Sequence, residues 1–137
     1  MMASKELLDR LNEQLNREVT TFLRYMIEAA FIKGAQNEAI REMYLEEVTD
    51  EVGHAQYLAN QIVTLGGIPK LNPDLSLPPQ EVPKMLEHDA NEEIKDVQNY
   101  VTLASLAEKE GFFALKLKME EQAADEDEHG HEMRRLG

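Results

Sequence analysis

A chain of 137 residues with 42% apolar and 30% charged side chains has the size and balance of one compact globular unit, so residues 1–137 are expected to form a single domain. Acidic residues outnumber basic ones by 27 to 14, and a formal charge of −13 would repel a phosphate backbone, which argues against nucleic-acid binding and leaves cations as the easier partners. No cysteine is present, which excludes disulfides, thiolate zinc sites and cysteine-ligated iron; no signal-like start or apolar run of about 18 residues occurs, so a cytoplasmic protein without a membrane partner is expected.

Apolar residues recur at three-and-four spacing, which predicts helices. The first helix takes Leu8, Leu11, Leu15, Glu18, Phe22, Tyr25, Ala29 and Ile32 on its inner face, with Ser4 as N-cap and Gly34 as the stop. The second begins near Asn37 and runs through Ile40, Tyr44, Glu47, Glu51, His54, Leu58 and Leu65, closing at Gly66-Gly67. Next comes IPKLNPDLSLPPQEVP, which holds all five prolines and reads as a crossover. A third helix carries Leu86, Ala90, Glu93, Val97, Tyr100, Ala104 and Ala107 and ends at Gly111. The fourth carries Phe112, Leu115, Met119, Gln122, Glu126, His129, Met133 and Leu136. Short links make helices one and two, and three and four, antiparallel hairpins. The long link lets helix three run parallel to helix two, giving an all-α four-helix bundle with one long crossover between helices 2 and 3.

The fourth helix contains DEDEHGHEM, in which two Glu-x-x-His pairs overlap: Glu126 with His129, and Glu128 with His131. Either pair shares a helix face, but a shift of two residues turns a side chain by roughly 200°, so only one can point inward. The spacing places Glu126 and His129 among apolar neighbours, whereas the rival stripe through Glu128 and His131 collects Glu121 and Arg135. An internal repeat agrees. A step of 75 residues carries Leu11 to Leu86, Glu18 to Glu93, Tyr25 to Tyr100, Asp50 to Asp125, Glu51 to Glu126 and His54 to His129. Against it, DEVGH at 50–54 matches DEHGH at 127–131 more closely letter for letter.

Each apolar stripe therefore carries at least one glutamate, among them Glu18, Glu51, Glu93 and Glu126, a residue type almost never buried without a partner. Burying four such ions unpaired would cost several kcal/mol each. Two divalent cations cancel their charge, and neutral His54 and His129 add nitrogen ligands without adding more; the donor set suits iron, manganese or zinc. A lone Glu-x-x-His in so acidic a chain is ordinarily a solvated pair, and it is the joint occurrence at matching depth that points to a metal site. Tyr25 and Tyr100 read first as core aromatics, Asp50 and Asp125 either as groups able to hold a histidine N–H or as plain surface charge, Asp96 as exposed before it reads as a further ligand, and Met26, Met43, Met85 and Met119 as packing. Ile68, Leu71, Leu75 and Leu77 around the crossover suggest a contact between copies.

These residues resemble the ferritin-like di-iron superfamily and, within it, most closely the bacterioferritins. The resemblance runs from LNEQLNREVTTFLRYMIEA through EEVTDEVGHAQYLANQIVTLGGIP to the acidic fourth helix, and one Glu from each of two helices with Glu-x-x-His from the other two is that family's recorded pattern. It implies Glu18 and Glu93 as terminal carboxylates, Glu51 and Glu126 as bridges, His54 and His129 on separate irons, and Tyr25 beside the site. It further implies a ferroxidase that oxidises ferrous iron with dioxygen or hydrogen peroxide, two irons per chain, and assembly into a dimer or a larger storage shell. Two departures stand out. Val52 occupies the position after Glu51 where bacterioferritins carry a haem-ligating methionine, so no haem is expected. The chain stops at Gly137, without the short fifth helix of those proteins, which bears on the cage. A rubrerythrin-like peroxidase or a manganese-catalase-like enzyme would use the same six ligands, and a non-catalytic helical structural protein is the remaining alternative.

Overall fold

The computed structural model describes residues 2–137 as four helices: α1 (Lys5–Phe31), α2 (Glu38–Thr64), α3 (Val82–Glu110) and α4 (Phe113–Leu136). Ser4 caps α1 as expected, its Oγ accepting from the Leu7 N–H at 3.1 Å. A single 3-10 turn, Ala35–Asn37, joins α1 to α2. Gly111 ends α3 at φ 82°, a left-handed conformation that glycine adopts without a Cβ penalty, and the Phe112 N–H closes the turn onto the Ala107 carbonyl. That turn delays the start of α4 to Phe113, leaving Phe112 as its N-cap. The helices pair as two hairpins, α1 with α2 and α3 with α4, and the crossover of 65–81 brings the second against the first.

The crossover carries no regular element, so its backbone needs partners. One face of α1 supplies them at four-residue intervals. Asn12 accepts from the Lys70 N–H at 2.9 Å and donates to the Ile68 carbonyl at 3.1 Å. Asn16 donates to the Lys70 carbonyl at 2.8 Å and accepts from the Asn72 N–H, and Thr20 accepts from the Asp74 N–H at 2.9 Å.

The apolar interior falls into two clusters. One joins Leu7, Leu11, Leu15, Leu58, Ile62, Leu103, Leu115 and Met119; the other joins Tyr25, Ala29, Ile32, Met43, Tyr44, Met85, Leu86 and Met133. Between them lies a layer of buried polar side chains. Two expectations fail in this packing. Met26 is not a core residue but 47% exposed, because the inner face of α1 passes through Tyr25, Glu28 and Ala29. Asp96 is buried rather than solvated, since Arg17 reaches across from α1 and holds it at 2.6 Å. Among the described residues no helix is long and apolar enough to cross a membrane.

Candidate metal centre

The polar layer contains all six residues singled out as ligands. Glu18 (α1), Glu51 and His54 (α2), Glu93 (α3), and Glu126 and His129 (α4) are each at most 9% exposed. They fall into two groups whose donor atoms lie within 4.8 Å of one another: Glu18, Glu51, His54 and Glu126; and Glu51, Glu93, Glu126 and His129. Glu51 and Glu126 belong to both. Glu128 and His131 stay at the surface, where His131 lies 3.5 Å from Asp127.

The imidazoles face the carboxylates through Nδ1. His54 Nδ1 lies 3.1 Å from Glu126 and 3.6 Å from both Glu18 and Glu51; His129 Nδ1 lies 3.3 Å from Glu51 and 3.5 Å from Glu126. Their Nε2 atoms turn outward to an aspartate of the facing helix, His54 to Asp125 at 2.9 Å and His129 to Asp50 at 3.2 Å. Donating Nε2–H to a carboxylate leaves the Nδ1 lone pair free for a cation, the usual support of a metal-bound histidine. The tyrosines are exchanged in the same reciprocal way: Tyr100 donates to Glu18 at 2.8 Å, and Tyr25 donates to Glu93. The repeat of 75 residues thus folds into a pseudo-twofold site in which each half of the chain supports ligands of the other.

Electrostatically, the protein atoms alone leave this layer unbalanced. Both oxygens of Glu51 and of Glu126, one oxygen each of Glu18 and Glu93, and Nδ1 of both histidines are buried without a hydrogen-bond partner. Burial, aggravated by the charge of Glu18, pushes the Glu51 and Glu126 carboxyls well above the usual carboxylate range. Burial would raise Glu18 too, but the neighbouring Glu51 and His54 and the hydrogen bond from Tyr100 lower it overall. Desolvation opposes the charged form of His129, yet Glu51 and Glu93 lift it to about 12. An acceptor-rich, donor-poor pocket of this kind fits oxygen- and nitrogen-ligated divalent cations, whose positive charge replaces the protons.

Several supporting residues escaped the sequence reading. Gln14 donates to Glu18 and to Asp96, both at 3.0 Å, fixing a ligand from one turn away on the same helix. Its position four residues before Glu18 was the available signal. Glu47, placed on the inner stripe of the second helix by its spacing but given no role there, lies buried one turn before Glu51, and desolvation pushes its carboxyl up to about 8. Beyond Tyr25, whose ring stands edge-on to Tyr44 at 5.2 Å, a second polar set is enclosed: Tyr44 donates to Asp89 at 2.8 Å, Arg24 pairs with Asp89 at 2.8 Å, and Glu28 lies fully buried beside them.

A sequence model of the family described as Ferritin-like domain matches residues 8–136. The bacterial ferritin of Pseudomonas aeruginosa is 28% identical over 96% of this chain and 86% of its own length. The bacterioferritin of Brucella melitensis is 26% identical over 94% of this chain and 81% of its own. Among solved structures, one described as ferritin like, diiron-carboxylate proteins from Bacillus anthracis superposes with a TM-score of 0.90 at 33% identity, covering 96% of this chain and 95% of that one.

Proposed function

The chain belongs to the ferritin-like domain family, and from that premise we propose that it binds two ferrous ions inside the bundle and oxidises them to ferric iron, with dioxygen or hydrogen peroxide as acceptor, in iron storage and detoxification. One observation carries this reading: Glu51 and Glu126 are shared between both ligand groups, so two cations held there would be joined by common carboxylates. The relatives named ferritin and bacterioferritin, and the neighbour named for its di-iron carboxylates, support the same reading.

In this reading Glu18 and His54 complete one position, and Glu93 and His129 the other. The paired ions supply two electrons at adjacent points, one from each, which reduce dioxygen to peroxide or peroxide to water with two protons taken up. The carboxylates balance the charge, and the imidazoles, fixed through Asp125 and Asp50, hold each ion in register. Tyr100 and Tyr25 fix the outer oxygens of Glu18 and Glu93. Manganese or zinc would meet the same donors. Haem forms no part of the proposal, because the residue after Glu51 is Val52. A homo-oligomer is proposed as well, since Ile68, Leu71, Leu75 and Leu77 of the crossover stand 66–76% exposed and Met26 and Ile27 of α1 are also uncovered.

Anaerobic titration should give two ferrous ions per wild-type chain, followed by oxidation on admitting the acceptor. Glu51→Ala and Glu126→Ala should retain helical circular dichroism and lose turnover. Iron oxidation at the wild-type rate in either variant would defeat the assignment.

A further inference from the structure

Four residues before each ligand glutamate stands a polar side chain: Gln14 before Glu18, Glu47 before Glu51, Asp89 before Glu93 and Gln122 before Glu126. All four are buried, at 2%, 5%, 0% and 1% exposed. The repeat of 75 residues pairs Gln14 with Asp89 and Glu47 with Gln122, so in both pairs an amide in one half corresponds to an acid in the other. The site is symmetric in its ligands and asymmetric in what surrounds them. The two acids fall on one side. Glu47 leads into Glu51 from Met43 and Tyr44, and Asp89 into Glu93 from Met85 and Leu86, all members of the apolar cluster that holds Tyr25 and Met133. That is the side of Glu93 and His129, since Tyr25 donates to Glu93. Gln14 and Gln122 lie toward the other cluster, with Leu11, Leu15, Leu115 and Met119, where Tyr100 donates to Glu18 and Gln122 borders the same opening as His54. Each side has an aspartate paired with an arginine, Asp89 with Arg24 at 2.8 Å and Asp96 with Arg17 at 2.6 Å. Glu47 stands apart from these pairs. Its Oε2 is buried without a hydrogen-bond partner, and it and His129 act on one another electrostatically. It is not among the four donors gathered around His129, so it bears on a cation there through its charge and not as a ligand.

We propose that the two cation positions are unequal and that the one at Glu93 and His129 fills first, because Glu47 lends it a buried carboxylate where the other has the neutral Gln122. The inference rests on the di-metal reading and adds which position leads. Glu51 and Glu126 are common to both positions, so the first ion takes up most of the shared charge and the second binds more weakly. Which position comes first is then decided by the residues that are not shared. A cation beside Glu47 takes the place of its proton, as it does at the ligands, whereas Gln122 has no charge to offer. Glu47 is in this sense a positioning residue, and its repeat partner marks the position that fills second.

Manganous ion, titrated calorimetrically into the metal-free chain, tests the order without oxidation chemistry. His54→Ala leaves the position of Glu93 and His129, and His129→Ala leaves that of Glu18 and His54, so each variant reports one affinity. The position kept in His54→Ala should bind about tenfold or more tightly, a modest effect for one charge near a dication in a protein interior. Glu47→Gln preserves shape and removes only the charge. Added to each histidine variant, it should weaken binding in His54→Ala and leave His129→Ala unchanged, bringing the two affinities together; a role in packing alone would not choose between them. Equal affinities in the two histidine variants, tighter binding in His129→Ala, or a Glu47→Gln effect that is the same in both would overturn the proposal. Any of those results with two ions still bound per wild-type chain defeats this inference alone, whereas fewer than two in wild type defeats the di-metal reading and this inference with it.

Discussion

Nε2 of His54 on α2 is held at 2.9 Å by Asp125 on α4, and the reciprocal bond joins His129 on α4 to Asp50 on α2 at 3.2 Å. Each aspartate orients the imidazole across the seam. Removing such a carboxylate leaves the ring free to turn and makes Nδ1 a weaker base. Asp125→Ala and Asp50→Ala are therefore expected to lower metal affinity about 10- to 100-fold. Competition between protein and chelator for manganese measures this. Asp127→Ala, whose carboxylate faces only the exposed His131, is the control and should bind as wild type does.

The choice between the overlapping Glu-x-x-His pairs has its own test. His129 points its Nδ1 at Glu51 and Glu126, while His131 stands in solvent. His129→Ala should cost one metal position, halving the number of ions taken up with high affinity, and His131→Ala should leave both. Metal counted per chain after gel filtration decides it, and the reverse pattern would transfer the site to the other register.

How the sequence disclosed so much follows from the geometry of helices. A glutamate on an apolar stripe contradicts the pattern around it, and four such contradictions at matching depth, joined by a repeat of 75 residues, locate the polar layer in the sequence alone. Helix ends were legible where a local device fixes them, as at Ser4 and Gly111. What stayed hidden depends on pairs distant in the chain. Asp96 read as a surface residue because nothing near it announces Arg17, 79 positions away. Asp50 and Asp125 were suspected of holding histidines, but that each serves the other's helix is a consequence of how α2 and α4 face one another. The ladder of Asn12, Asn16 and Thr20 has no signature in the sequence, because its partners are backbone groups of the crossover 54 to 58 residues away.

Metal should stabilise the fold, because the polar layer lacks donors for its carboxylates. Binding to the native state alone adds about 2.7 kcal/mol per site when free metal is a hundredfold above its dissociation constant. Manganous ion, which avoids oxidation chemistry, is expected to raise Tm substantially in wild type and much less in Glu51→Ala, whose carboxylate serves both positions. A calorimetric scan with and without metal reads this directly. An unchanged Tm in wild type would mean that no inward site is filled.

The enclosed set beyond Tyr25 gives the metal-free protein a pH dependence independent of the ligands. Glu28 is fully buried with neither oxygen hydrogen-bonded, and desolvation, reinforced by Asp89, pushes its carboxyl to about 10 despite Arg24 nearby. In the unfolded chain the same group ionises near 4.5. Between those values the native state keeps a proton that the unfolded state has lost, so this contribution is full below about pH 4.5 and declines as pH climbs toward about 10. Glu28→Gln preserves shape and cannot ionise, so it should abolish that decline. The expected result is a Tm advantage of the variant over wild type that is small near about pH 6 and grows by about pH 9. Glu47, pushed up to about 8 by burial, contributes a decline of the same sign in both proteins and so cancels in the comparison. Parallel curves for the two proteins across that interval would show that Glu28 is ionised in the native state, with Arg24, 3.9 Å away, as its counter-charge.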